Sequence, residues 1–334
     1  MSSPAPTAWM DAFDLDPGNV WTPPMRGRLD DFLEESRGPL EERLARVCDE
    51  LGREIDGLPQ VLARAVGTEG RGGRRWRPLL TLAAAEASGG RSAEALDVAV
   101  AVELTHTASL VLDDMPCMDD SALRRGQPAT HRLVGSAGAI LLSVGMLARA
   151  VELLGSLPGS GAVVCEGWGK TVGLQGMAGG QAMDVTAAGP LRGARRRLHR
   201  AKSTLLPAFA LASGARAGGA DEALCVGLES FGRSLGWAYQ LVDDVEDLEE
   251  DARLGRGPGG ARPLALSRRI MQRADRRLRR LSGLTPDGIE ILIGLANRIV
   301  RPDPTLAWQD ARRSGRQEAR LDMDGQAQQS EEQK

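Results

Sequence analysis

Apolar residues return at three- and four-residue intervals along most of this chain, a spacing that predicts helices rather than strands. From Arg26 to Val66 the inward positions are Leu29, Phe32 and Leu33, then Leu44, Val47 and Leu51. A glycine-rich break, GTEGRGG (67–73), leads into RRWRPLLTLAAAEA, where Pro78 suits the first turn of a helix. After SGG (88–90), Ser92 is the expected N-cap of a helix running to about Asp114. Ala/Leu/Gly-rich segments with short polar breaks continue to about Val300, and nothing alternates with period two for long enough to predict a strand. The pattern predicts an all-α fold with one helical domain, 25–312. A flexible Pro-rich segment, 1–24, is expected before it and a disordered polar tail, 313–334, after it.

Composition narrows the function classes. The 334 residues suffice for a sizeable core, and a net charge of −3 weighs against a general nucleic-acid binder. The arginine runs RRRLHR (195–200) and RRIMQRADRRLRR (268–280) fit the solvated faces of helices. Cys48, Cys117, Cys165 and Cys225 have neither CxxC spacing nor the density of a disulfide scaffold, so a cytoplasmic location is expected. The N-terminus carries early acids and no long apolar core, so neither a signal nor a transit peptide is expected. The longest uncharged run, Leu133–Ala148, has 16 residues and three glycines. It falls short of the roughly 20 needed to cross a bilayer, which predicts a buried helix and no membrane span. Lysine occurs only at Lys170, Lys202 and Lys334.

The candidate chemistry begins in LDDMPCMDDSALRRG (112–126). On a helix from Ser92 to Asp114, Val102, His106, Ser109 and Asp113 share one face. Helix C-termini favour cations, so carboxylates gathered there call for a cation from outside. Pro116 breaks regular helix near Asp114, which lets Asp119 turn back toward Asp113. A second cluster lies in GWAYQLVDDVEDLEED (236–251), where Asp243 and Asp247 stand at i and i+4 and Gln240 falls one turn earlier. Oxygen-only donors without a His or Cys set suggest a hard cation, Mg²⁺ in particular where phosphate supplies further ligands. Either cluster alone is equally consistent with a solvated acidic surface, as is Asp30-Asp31.

Cations accompany these acids. Arg74, Arg75 and Arg77 follow a Gly-Gly pair, and Arg124 and Arg125 follow the first acids. Clustered arginines at a helix start suit bidentate phosphate binding, and Lys202, retained in a chain poor in lysine, is a further candidate. Carboxylates for Mg²⁺ and cations for phosphate together describe a diphosphate site, with surface salt bridges as the alternative.

These residues carry a resemblance. VELTHTASLVLDDMPCMDDSALRRGQPATH (102–131), LVDDVEDL (241–248) and the upstream GGRRWRP (72–78) resemble the motifs of the trans-isoprenyl diphosphate synthases, most closely the bacterial geranylgeranyl diphosphate synthases of carotenoid pathways. The resemblance implies a single helical bundle around a deep central cavity, usually homodimeric, with about three Mg²⁺ ions bridging two acidic motifs. It puts Asp113, Asp114 and Asp119 on the metal positions of the first motif and Asp243, Asp244 and Asp247 on those of the second. It puts Arg124, Lys202, Ser203 and Gln240 on the allylic diphosphate, and Arg74, Arg77, His106 and Arg125 on isopentenyl diphosphate. Asp113, Asp119, Asp243 and Lys202 are then the residues expected to carry catalysis. No protein nucleophile is needed, which fits the absence of any Ser/His/Asp or Cys/His constellation.

Ala108 and Ser109 stand where shorter-chain relatives carry a bulky aromatic, and Thr105 or Ala101 would lie deeper, so the resemblance implies a C20 product. A C15 farnesyl diphosphate synthase, a class I terpene cyclase, a head-to-head condensing enzyme and a non-catalytic partner subunit are the alternatives. After Asp247 the chain has LGRGPGGARPLAL (254–266), with Arg256 and Arg262 in place of the family's lysines.

Overall fold

The computed structural model describes residues 26–68, 73–90, 92–186, 192–253 and 261–300. The segment 1–24, the tail 313–334 and both ends of the expected domain lie outside these residues. In chain order the described elements are α1 (Arg26–Gly52), α2 (Leu58–Val66), α3 (Trp76–Ala87), α4 (Ala93–Asp113), β1 (Leu123–Arg124), β2 (Gln127–Pro128), α5 (Thr130–Gly155), α6 (Gly161–Val172), α7 (Met177–Thr186), α8 (Arg192–Ala217), α9 (Glu222–Arg253), α10 (Ala261–Leu278) and α11 (Pro286–Val300). The fold is all-α apart from the short antiparallel hairpin β1–β2.

Local chemistry explains several boundaries. Ser92 caps α4 as expected, its hydroxyl accepting from the Ala95 N–H at 3.1 Å. The helical pattern from Arg26 to Val66 divides at Gly57, which takes φ 78° ahead of α2, with Pro59 in the first turn of that helix. The hairpin was not expected, because each strand has only two residues. Its turn residues Arg125 and Gly126 both have positive φ, 55° and 73°, the pattern of a type I′ turn.

The core forms two clusters that share α1 and α8. One surrounds α4 with residues of α1, α2, α5, α6 and α8; the other surrounds α3 with residues of α1, α8, α9, α10 and α11. Helices α8 and α9 approach closely because Gly232 and Gly236 face α8. A Cβ on Gly236 would lie 2.5 Å from the Ser203 carbonyl oxygen, and one on Gly232 would lie 2.6 Å from the Ala208 Cα. This contact sets Gln240 of α9 beside Ser203 of α8.

The run Leu133–Ala148 departs from expectation. It lies within α5, but Leu133, Ile140, Leu141 and Val144 are exposed, Leu141 by 70%. The periodicity is helical, yet the apolar residues go nearly all the way round while one side only meets the core. Helices α4 and α5 are both long and apolar enough to cross a membrane by length and composition; α4 is mostly buried in the bundle and α5 less so.

One buried ion pair ties the entrance of α3 to its neighbours. Arg75, 3% exposed and held at φ 54°, donates from Nε and Nη2 to Glu41 at 2.8 and 3.0 Å, and from Nη1 to Glu103 at 2.6 Å. It also donates to the carbonyls of Val66 and Gly67 at 2.6 and 3.0 Å, so every guanidinium nitrogen is engaged. Burial works against this charge, but the two glutamates outweigh it and hold the Arg75 pKa above the ordinary arginine value. Glu103, 2% exposed, would be intolerable in the apolar face of α4 without this partner. Glu103→Ala should therefore cost about 1–3 kcal/mol, because Arg75 loses one charge-assisted bond while Glu41 still pairs it. Urea unfolding followed by circular dichroism measures that loss.

Candidate active site

The first acidic motif sits where α4 ends. Beyond Asp114 the chain reverses: the Met118 and Asp120 N–H groups donate to the Met115 carbonyl at 2.8 and 3.0 Å, and the Asp119 N–H donates to the Asp113 carbonyl at 2.9 Å. Asp119 is thus turned back onto Asp113, as Pro116 led us to expect. Asp113 and Asp114 are buried, whereas Asp119 and Asp120 are exposed.

Neighbouring carboxylates on α4 have different surroundings. Asp114 accepts from Arg124 Nε at 3.0 Å to both oxygens and is further bonded by Nη2. That bond, more than any other influence, raises the Arg124 pKa. As the residues stand, Asp114 and Arg124 are spent chiefly on each other. Together with Arg64, Thr107 and Arg125 they line a cavity of about 190 Å³ against α2 and the start of α5.

The remaining cations are in a different state from Arg75. Arg77 donates from Nη1 to His106 Nε2 at 2.9 Å, and its guanidinium lies 4.0 Å above the Trp76 ring. Trp76 in turn meets Tyr239 of α9 with ring centroids 5.5 Å apart. Among the described residues no salt bridge reaches Arg77, and its Nε is buried without a partner. Burial lowers its pKa to about 10. Asp243 of α9 is among the charges that act on Arg77, so the second acidic motif lies within electrostatic reach of this group.

Arg125 completes the cluster from the hairpin. Its guanidinium presses on Gly73, where a Cβ would stand 2.7 Å from Nη2, so the glycine at this position leaves room for the arginine. Burial foremost, with Arg75 and Arg124 adding repulsion, lowers the Arg125 pKa. Burial likewise drives the His106 pKa well below its usual value, reinforced by Arg77, Arg125 and Arg124. His106 is neutral and accepts the Arg77 proton at Nε2. Arg74, by contrast, is exposed at the start of α3.

On the opposite side, Ser203 of α8 hydrogen-bonds the Gln240 side-chain oxygen. Asp243 is half-buried one turn beyond Gln240. The side chains of Lys202, Asp244, Asp247 and Arg262, and all of Arg256, lie outside the described residues. Among those described, no group of three or more His, Cys, Asp or Glu side chains is placed to hold a metal. Oxygen donors split between two helices suit a hard cation that takes further oxygens from a phosphate.

The grouping of Arg74, Arg75 and Arg77 as one phosphate site needs correction: Arg75 is a structural residue saturated by Glu41 and Glu103. The signal was a lone acid, Glu103, inside an apolar helical run, which requires a buried cation. Ala108 is fully buried and Ser109 half-buried below Asp113, the Ser109 hydroxyl donating to the His106 carbonyl at 2.8 Å.

The profile of the family described as polyprenyl synthetase matches residues 59–259. The chain is 36% identical over 252 residues to geranylgeranyl pyrophosphate synthase 12, chloroplastic, of Arabidopsis thaliana, covering 71% of this chain and 69% of that protein. It is 34% identical over 240 residues to the farnesyl diphosphate synthase of Geobacillus stearothermophilus, covering 69% and 80%. Its fold superposes on the crystal structure of an FPP/GFPP synthase from Zymomonas mobilis with a TM-score of 0.68 at 27% identity, covering 83% of this chain and all of that one.

The neutral state of His106 has a pH signature. The unfolded chain takes up a proton near pH 6.5 that the native imidazole refuses, so this residue costs no stability above that pH and increasing stability below it. Between pH 6.5 and 5.5 the wild type should lose up to about 1 kcal/mol more than His106→Gln. Urea midpoints of both proteins across that range measure the difference.

Proposed function

The chain belongs to the polyprenyl synthetase family and is a trans-prenyltransferase, and we propose that it condenses isopentenyl diphosphate with an allylic diphosphate to give geranylgeranyl diphosphate. The observation that carries this reading is the Arg77–His106–Arg125 group, with Arg77 and His106 half-buried and Arg125 exposed, whose guanidinium charges no described carboxylate pairs. A partly desolvated cation cluster open to solvent on one side is poised for an anion from outside. The diphosphate of isopentenyl diphosphate fits it, with Arg74 at the rim.

The allylic diphosphate is the second anion. Lys202, Ser203 and Gln240 would hold it from α8 and α9, and Arg124 from the hairpin through Nη1, the nitrogen that Asp114 does not engage. Asp113, Asp114 and Asp119, together with Asp243, Asp244 and Asp247, make an all-oxygen donor set that suits Mg²⁺, about three ions, which when bound would stabilise charge on the departing diphosphate. Asp113 and Asp119 supply carboxylates from either side of one turn, and Arg124 keeps Asp114 oriented. Neutral His106 keeps Arg77 aimed at isopentenyl diphosphate without adding a titrating charge. The homoallylic double bond then attacks the allylic carbon, and the proton it sheds can pass to the released diphosphate, so no side chain need act as base.

The small residues Ala108 and Ser109 support a C20 product. A C15 product is the competing reading, favoured by the similarity to a farnesyl diphosphate synthase. Mass spectrometry after incubation with Mg²⁺, isopentenyl diphosphate and each allylic diphosphate decides between them. C20 is expected from the wild type, C15 from Ala108→Tyr, and a rate at least about 10³-fold lower from Asp113→Ala or Asp243→Ala. Wild-type arrest at C15 contradicts the product assignment, and turnover surviving both aspartate substitutions contradicts the mechanism.

We further propose a homodimer joined through α5. Beyond the break at Gly135, Ile140, Val144 and Val151 recur along one exposed face of α5, flanked by Leu141. A second copy offering the same stripe would cover it, since a stripe this apolar is unfavourable in water. Light scattering after size-exclusion chromatography should give a dimer for the wild type and a monomer for Leu141→Asp/Val144→Asp; a monomeric wild type contradicts the assignment.

A further inference from the structure

The arginine run RRIMQRADRRLRR (268–280) falls largely within α10, which sorts its residues between two faces. Ser267, Met271, Ala274 and Leu278 are buried, and the Ser267 hydroxyl donates to the Ala238 carbonyl of α9 at 3.0 Å. At about 100° per residue, Leu266, Arg269, Arg273, Arg276 and Arg277 fall within one arc on the far side, and all five are exposed. From Leu266 to Arg277 this stripe is about 16 Å long. Arg280, also exposed, follows in the turn beyond the helix.

The charges on this stripe are not answered within the bundle. Among the described residues no salt bridge reaches Arg269, Arg273, Arg276, Arg277 or Arg280. Glu229 of α9 and Glu290 of α11 are engaged elsewhere, with Arg233 and Arg279. Asp275, the sole acid in the sequence of α10, is half-buried. Arg269 and Arg273 stand at i and i+4, as do Arg273 and Arg277, a spacing at which like charges destabilise a helix. The whole chain carries a net charge of −3, so the stripe is a local excess of positive charge rather than the character of the protein.

An apolar groove runs beside it. Helices α9 and α10 leave a cleft of about 280 Å³ lined by Phe231, Ala274, Leu278 and Leu281, with Arg277 and Arg280 on the same lining. Gly227 of α9 makes room for Leu281 there, since a Cβ at Gly227 would stand 2.7 Å from the leucine methyl carbons. Arginines beside hydrocarbon complement an amphiphile, whose anionic group and apolar chain lie together. A nucleic acid would answer the charge but not the groove, and Phe231 is 3% exposed, too buried to stack on a base.

We propose that α10 is a peripheral membrane-docking face: its arginine stripe meets the anionic headgroups of a phospholipid bilayer, and the groove between α9 and α10 takes apolar lipid at the contact. The contact lies along the membrane surface and needs no spanning segment. It rests on the charge and shape of α10, not on the prenyl-transfer reading.

The test is co-sedimentation of the full chain with vesicles of phosphatidylcholine alone and of phosphatidylcholine mixed with phosphatidylglycerol, with folding checked by circular dichroism. The wild type should pellet with the mixed vesicles only, and added salt should release it. An arginine close to an anionic surface strengthens binding about fivefold, so Arg273→Gln/Arg276→Gln/Arg277→Gln should weaken it about 100-fold. Ser230→Asp, which sets an acid at an exposed position on the groove wall, should weaken it by less. A wild type that ignores the mixed vesicles, or pellets equally with both, overturns the proposal, as does a folded triple variant that binds like the wild type. If the triple variant does not fold, unchanged binding by Arg273→Glu overturns it. Unchanged binding by Ser230→Asp overturns the part assigned to the groove. Tighter binding of the wild type to a DNA duplex than to the mixed vesicles, at the same salt concentration, overturns the membrane assignment in favour of nucleic acid.

Discussion

Buried positive charge has to be answered by negative charge, and this bundle answers it in two different ways. Arg75 receives its counter-charge from within the chain, from Glu41 and Glu103, and has no donor left over. Arg77, two residues on, rests on an indole and a neutral histidine, neither of which cancels its charge. The first arrangement fixes the junction of α1, α3 and α4; the second leaves an electrostatic demand at that same junction. On the proposed reading a diphosphate would meet it, and the carboxylates at the end of α4 and on α9 would create the complementary demand for divalent cations. On that reading substrate and metal would supply charges that the protein leaves out.

The backbone keeps these demands in register. Pro116 ends α4, and the hydrogen bond from Asp119 to the Asp113 carbonyl returns the chain to the helix terminus. The hairpin then spends positive φ on Arg125 so that its guanidinium reaches Gly73. An unfavourable φ at a non-glycine residue persists only where the surroundings enforce it, and here two strands of a tight turn do so. On the far side, Gly232 and Gly236 let α9 approach α8 closely enough for Ser203 to bond Gln240.

Much of this was legible from residue order. The helical repeat, the Ser92 cap, the shared face of His106, Ser109 and Asp113, and the return of Asp119 all depend on neighbours within a turn or two, where local rules hold. What escaped was long-range or brief. Arg75 pairs with Glu41, 34 residues away, so nothing in its local sequence set it apart from Arg74 and Arg77. The hairpin is two residues per strand, too short for any alternation. The exposed side of α5 differs from a buried one only in what packs against it. Trp168 contacts Thr105 across 63 residues, and no pattern within α6 announces that contact.

The central claim is that Arg77, His106 and Arg125 await an external diphosphate. Calorimetric titration of isopentenyl diphosphate into the metal-free protein tests it most directly, because neither metal nor turnover intervenes. Loss of one charge-assisted contact in Arg125→Gln should weaken binding about tenfold to a hundredfold. Equal affinity in wild type and Arg125→Gln would contradict the account.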